Sequence, residues 1–117
     1  MNPKPHSYLT PNGVKIFNQL LKHLEDVDLK AVDSFELSAL ANTFDIHQRA
    51  AVVINRSDDG YTQKTPNGYR QITPEFSIYK DTFDRINKGS DKFGLNPAAR
   101  EKIKIFMEKE KNELEGL

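Results

Sequence analysis

Apolar and polar positions alternate in this chain first with a helical period. Val14, Phe17, Leu20, Leu21, Leu24 and Val27 recur in steps of three and four, the spacing of one helical face. Thr10 and Pro11 predict where that helix begins. The Thr10 hydroxyl can accept from a free first-turn amide, Pro11 has no N–H to leave unsatisfied, and Leu9 can fold back onto Val14. The helix is expected to run to about Leu24 or Glu25. A second, longer period carries two stripes, Leu37, Leu40, Ala41, Phe44, Ala51 and Ile54 on one side and Ala39, Ile46, Ala50 and Val53 on the other. Asp33 and Glu36 read as a capping box in front of it, so a helix is expected from Asp33 to about Ile54. Two apolar stripes imply burial on two sides, and in a small chain the second side suits another subunit.

The pattern then breaks. Thr-Pro-Asn-Gly, the tetrapeptide that opens the first helix, recurs at Thr65–Gly68, but Pro74 follows too soon for a helix to form there. Here Pro66 presets a corner, Asn67 suits the next position and Gly68 can take a left-handed conformation. The expectation is a hairpin pairing Tyr61–Lys64 with Tyr69–Ile72. Thr73 and Pro74 repeat the cap-then-proline start, and Phe76, Tyr79, Phe83, Ile86 and Phe93 predict a third helix with an aromatic core face, ended by Gly94. Asn96-Pro97 opens a last helix whose apolar positions are Ala99, Ile103, Phe106, Met107 and Leu114. Its other face is almost all charge, which suits either a solvated surface with i,i+4 pairs or a helix that docks on a partner. The fold class expected is mainly α: four helices with a short β-hairpin between the second and third, in a single domain over residues 1–117. Within it the N-terminal helical pair covers about 10–56, the hairpin about 60–72 and the C-terminal helices about 74–114.

Composition narrows the function classes. The chain has 117 residues and 17 basic against 17 acidic side chains, so no global basic field marks it as a nucleic-acid binder. Such binding has to come from a local patch. With no cysteine there is no disulfide framework, thiolate metal site or thiol nucleophile, and the cytoplasm is the default compartment. The start of the chain lacks the apolar run of a signal peptide, and no run of about 18 apolar residues occurs, which disfavours secretion and membrane spanning.

Candidate chemistry is sparse. His6, His23 and His47 lack the i,i+3 or i,i+4 spacing that lets two imidazoles share a metal. Asp58-Asp59-Gly60 lacks the alternating oxygen ligands and closing Glu of a calcium loop and reads as a turn. Asn55-Arg56-Ser57 fits a glycosylation acceptor without meaning in a cytoplasmic chain, and neither Gly/Lys-containing stretch has phosphate-loop spacing. No catalytic constellation, metal or cofactor is expected. Basic residues concentrate modestly in the N-terminal portion (Lys4, Lys15, Lys22, Lys30) and again between Tyr61 and Leu95 (Lys64, Arg70, Lys80, Arg85, Lys88, Lys92). In a ring of subunits such small excesses would add around the axis.

"FGLNPAAR" (Phe93 to Arg100), preceded by a Pro-initiated helix and a Gly-Tyr-Thr…Gly hairpin, resembles the phage terminase small-subunit family, whose members typically carry Phe-Gly-Leu-Thr-Pro-x-x-Arg there. The likeness spans nearly the whole chain and is specific between Gly60 and Arg100. The matching positions are Gly60, Tyr61, Gly68, Phe93, Gly94, Leu95, Pro97 and Arg100, turn and cap residues that report structure. Asn96 replaces the usual Thr, one N-cap for another, and Thr73 stands where the family has Asn before the third helix.

The resemblance implies a non-enzymatic DNA-packaging factor, working in the host cytoplasm as a ring or smaller homo-oligomer. It would recognise double-stranded viral DNA and regulate the large terminase subunit, which carries the ATPase and nuclease. With the local basic excess, it makes Lys15, Lys22, Lys30, Lys64 and Arg70 the candidate DNA contacts. Ile103, Phe106 and Met107 become the candidate partner-binding anchors. A competing reading, a small helical transcription regulator of phage origin, takes the two N-terminal helices as a helix-turn-helix. The doubly apolar second helix opposes it, because a recognition helix needs a polar face for the groove.

Overall fold

A computed structural model describes residues 3–101. The order is helix, helix, hairpin, helix: α1 (Pro11–His23), α2 (Ser34–Arg56), β1 (Thr62–Lys64), β2 (Arg70–Ile72) and α3 (Pro74–Phe93). The chain divides into two compact units, one through Ile86 and one from Asn87 onward. The expected class, mainly helical with an antiparallel hairpin between the second and third helices, is what forms. A helical turn opens at Pro97 and is described to Glu101, and the remainder of the expected fourth helix lies outside the described residues.

α1 begins as its sequence dictates. Thr10 is extended, its hydroxyl accepts from Gly13 N–H at 3.0 Å, and Pro11 occupies the first turn. Leu9 is buried and its side chain lies over Gly13, where an added Cβ would stand 3.4 Å from the Leu9 Cβ and Cδ2. Ile16, Phe17, Leu20 and Leu24 are buried, as are Leu37, Leu40 and Ala41 of α2, and the packing of α1 on α2 is the core. Val27, expected on the same face, falls beyond the helix end and is exposed.

The start of α2 differs from expectation. Asp33 turns its carboxylate back to Lys30 N–H, 2.7 Å away, and closes a 3-10 turn over Ala31–Asp33. With helical backbone and no side-chain cap bond forward, Asp33 makes no box with Glu36. A carboxylate spent on the preceding turn cannot also cap the following one. The N-terminal segment straps over this start: His6 N–H donates to Ser38 Oγ (3.1 Å), its Nε2 lies 3.2 Å from Ser34 Oγ, and its ring sits 4.8 Å from that of Phe35.

The hairpin pairs Thr62 with Ile72, Gln63 with Gln71 and Lys64 with Arg70. Its turn is closed by Gly68 N–H to Thr65 O at 2.9 Å, with Gly68 at φ +85°, a conformation that favours glycine. α3 starts with Thr73 Oγ1 accepting from Phe76 N–H (3.2 Å) and ends at Gly94 (φ +68°), where Leu95 N–H reaches back to Ser90 O at 2.9 Å in a Schellman closure.

Its aromatic face is not core. Phe83 is 54% exposed, Phe76, Tyr79 and Phe93 are half-buried, and the buried residues of the helix are Thr82 and Ser90. The contact with α2 is made through a polar hinge. His47 stacks on Tyr79 at 4.4 Å between ring centroids, and its Nδ1 lies 2.8 Å from Thr82 Oγ1. That hydroxyl donates to Ile78 O (2.7 Å), so the imidazole supplies its Nδ1–H to the hydroxyl. Phe76 pairs with Tyr61 of the hairpin at 4.7 Å. The aromatics are satisfied by one another at the surface.

Candidate nucleic-acid interface

α1 contains no acidic residue. On the side away from its core face, Pro11, Val14, Lys15, Asn18, Gln19 and Lys22 line one open, shallow surface. Lys15 and Lys22 stand seven residues apart, about two helical turns, so both project from the same side. The two amides between them escaped the sequence reading, which tracked cations alone. The signal was the i, i+3, i+4, i+7 spacing of 15, 18, 19 and 22.

The remaining candidate cations are distributed over other elements. Lys64 and Arg70 face each other across the hairpin. Arg70 Nη1 already contacts Thr62 Oγ1 at 3.1 Å and the Asp59 carboxylate at 3.7 Å. Both partners of that pair are solvated, so it is worth little, but it partly balances the charge Arg70 offers outward. Lys30 lies exposed in the link between α1 and α2. The structure therefore groups Lys15 with Lys22, Lys64 with Arg70, and sets Lys30 apart.

What holds the α1 face in place is a buried carboxylate. Asp45 of α2 is 2% exposed and accepts from Thr10 Oγ1 (2.9 Å), from Asn12 Nδ2 (2.8 Å) and from the Arg49 guanidinium (3.1 Å). Asn12 also donates to Gln48 Oε1 at 3.0 Å. The Thr10 hydroxyl thus does two jobs, accepting from the first turn of α1 and donating into α2. Burial alone would raise the Asp45 pKa, but the hydrogen bonds from Asn12 and Thr10 and the charge of Arg49 outweigh it and hold the carboxyl below its usual range. Asp45 was missed in the sequence, although it sits four residues after Ala41 and eight after Leu37, on the buried stripe. An acid on such a stripe requires donors, and Thr10, Asn12 and Arg49 are those donors.

The positions that carry the family resemblance prove to be backbone devices. Gly60, Gly68 and Gly94 are the three glycines with positive φ among the described residues. The carbonyl of Tyr61 accepts from Thr73 N–H at 2.9 Å, lengthening the hairpin ladder. Asn96 Oδ1 accepts from Ala99 N–H (2.7 Å) ahead of Pro97, and Arg100 N–H closes on Asn96 O at 3.0 Å. Phe93 and Leu95 flank the Gly94 reversal. Ile103, Phe106 and Met107 lie outside the described residues. Among the described residues no group of three His, Asp or Glu side chains could hold a metal ion, and no helix is long and apolar enough to cross a membrane.

No curated protein and no solved structure matches the chain at a significant level. The family model of the phage terminase, small subunit, matches residues 13–110, which takes in the acid-free helix from Gly13 onward, the hairpin and the closing Phe-Gly-Leu-Asn-Pro segment. Over that span the chain belongs to the phage terminase small-subunit family, proteins of viral DNA packaging.

Proposed function

We propose that this chain recognises double-stranded viral DNA and regulates the large terminase subunit, itself contributing no catalysis and acting as a homo-oligomer in the host cytoplasm. The observation that carries the DNA contact is the exposed face of α1, with Lys15 and Lys22 on one side of a helix free of carboxylates. A neutral chain binds a polyanion through such a patch, and summing the patch over several subunits strengthens the field. Lys30, Lys64 and Arg70 serve as secondary phosphate contacts in the same reading.

Self-association draws support from α2. Ile46, Ala50 and Val53 form one wall of a shallow groove and Ile78 of α3 the other, with Arg49 and Glu75 at its edges. Val53 is 51% exposed, and Val52 and Ile78 are also exposed. The groove carries one cation and one anion, so a second copy can meet it with complementary charge, and a chain of zero net charge does not repel its own copies. Contact with the large subunit is proposed at Ile103, Phe106 and Met107, which lie outside the described residues.

Native-gel retention of duplex DNA across a salt series tests the DNA contact. Binding should be strong at low salt, fall steeply as salt rises, and be lost in a Lys15→Glu/Lys22→Glu double variant. A protein that retains no duplex even at low salt and high concentration overturns the proposal.

A further inference from the structure

We infer that α1 reads base edges in the major groove, with Asn18 and Gln19 as the sequence-reading residues and Lys15 and Lys22 as the flanking phosphate contacts. This rests on the proposal that α1 contacts DNA, and adds what that contact can distinguish.

The two amides are the reason. A face built only to grip phosphates needs donors and positive charge. Asn and Gln each present a donor beside an acceptor, the pattern that pairs with N7 and the 6-amino group of adenine. Both side chains are exposed, and neither makes a hydrogen bond among the described residues. Asn12, nearly two turns earlier on α1, by contrast donates its amide Nδ2 to Asp45 and Gln48. The helix therefore separates its amides into one that locks it to α2 and two that face solvent.

Geometry and charge agree with that division. Lys15 to Lys22 spans about 10 Å along the axis at ~1.5 Å per residue, close to three base-pair steps, and a major groove about 12 Å wide admits one α-helix. The cations stand at the ends of this span and the amides between them. The acids nearest in sequence, Glu25, Asp26 and Asp28, come after the helix has ended. The opposite side of α1 is fixed by Ile16, Phe17 and Leu20 in the core and by the Thr10–Asp45–Asn12 network, so the reading face is presented on a rigid element and loses little freedom on binding.

The test is selection from a random-sequence duplex pool with the full chain at low salt, followed by anisotropy titration of the enriched and a scrambled duplex. Wild type should enrich a short motif containing adenine and prefer it over the scrambled duplex by roughly tenfold or more. An Asn18→Ala/Gln19→Ala variant, whose melting temperature should match wild type because both side chains are exposed, should bind the scrambled duplex within about twofold of wild type and lose the preference. A Lys15→Glu/Lys22→Glu variant should lose both duplexes. Wild type binding all duplexes equally, or the Asn18/Gln19 variant keeping the wild-type motif, overturns base reading by α1 while leaving its DNA contact standing. Wild type binding no duplex overturns that contact and the base reading with it.

Discussion

The N-terminal helical pair and the hairpin with α3 are built on opposite plans. In the pair, apolar side chains are sealed away: Phe17 and Leu37 are 0% exposed, and the one buried charge, Asp45, is surrounded by donors. In the hairpin and α3, Tyr61, Tyr69, Ile72, Ile78 and Phe83 are all exposed, and order comes from caps and glycine turns. Stability is thus concentrated in the first region. The second holds its shape by backbone chemistry and leaves apolar surface free for contact.

Truncating one large side chain in each region gives the widest contrast. Phe17→Ala or Leu37→Ala should cost about 3–5 kcal/mol, a large share of what a domain of this size possesses. Phe83→Ala should cost less than about 1 kcal/mol, because its removal empties no enclosed space. Urea denaturation of the three variants measures this, and equal losses would mean that α3 is as much core as α1.

Asp45 sharpens the same comparison from the polar side. Asp45→Ala should cost about 2–3 kcal/mol, since it strands the Thr10 hydroxyl and the Asn12 amide and severs the link from α1 to α2. The carboxyl titrates lower in the folded chain than in the unfolded one, so folding favours its ionised form. Its stabilisation is complete above the unfolded value of about 3.9 and is lost as pH falls through the lower folded value. Melting temperature followed from neutral pH into the acid range should drop more steeply for wild type than for Asp45→Asn. Parallel curves would remove Asp45 from any part in acid stability.

Why some of this was legible in the sequence and some was not follows from range. Thr10, Thr73 and Asn96 cap helices within three residues of themselves, and Gly60, Gly68 and Gly94 reverse the chain where they stand, so local chemistry decides them. Asp33 failed because two neighbouring turns compete for one carboxylate. The α3 face failed for a tertiary reason. Its aromatic spacing predicts burial only if another helix covers it, and within the described residues α2 meets it through His47 and Thr82. On the interface, the helical spacing of Lys15, Asn18, Gln19 and Lys22 already carried their grouping on one face, whereas Lys64 opposite Arg70 depends on the register the hairpin adopts.

The backbone plan of the second region predicts a smaller effect. Gly68 sits at φ +85° with nothing within 4 Å of where a Cβ would stand, so Gly68→Ala is penalised by conformation alone, about 1 kcal/mol. Asn tolerates the left-handed region better, and Gly68→Asn should recover part of that loss in thermal melting. Gly13 makes the control: it is helical, an added Cβ would find neighbours at 3.4 Å, and the gain in helix propensity opposes that tightness, leaving Gly13→Ala close to neutral. An Ala at both positions costing the same would mean that packing, and not φ, decides at Gly68.

The smallest change in fold stability is expected where the two regions meet, and it comes with the largest change in assembly. Ala50 and Val53 both belong to the outer stripe of α2, but Ala50 is only 5% exposed, so a charge there would damage the subunit itself. Val53 is the clean probe. Half exposed on the wall of the groove shared with Ile78 and Glu75, Val53→Asp should leave the melting temperature of the monomer within a few degrees. In a contact between copies the same aspartate would be desolvated without a partner, which costs several times more than it does at the free surface. Sedimentation of wild type and variant over a concentration series separates the two effects. The proposed assembly requires wild type to associate and Val53→Asp to sediment as a folded monomer. Wild type that remains monomeric at every practical concentration removes the groove from any role in self-association, and a variant that assembles normally moves the contact to another face.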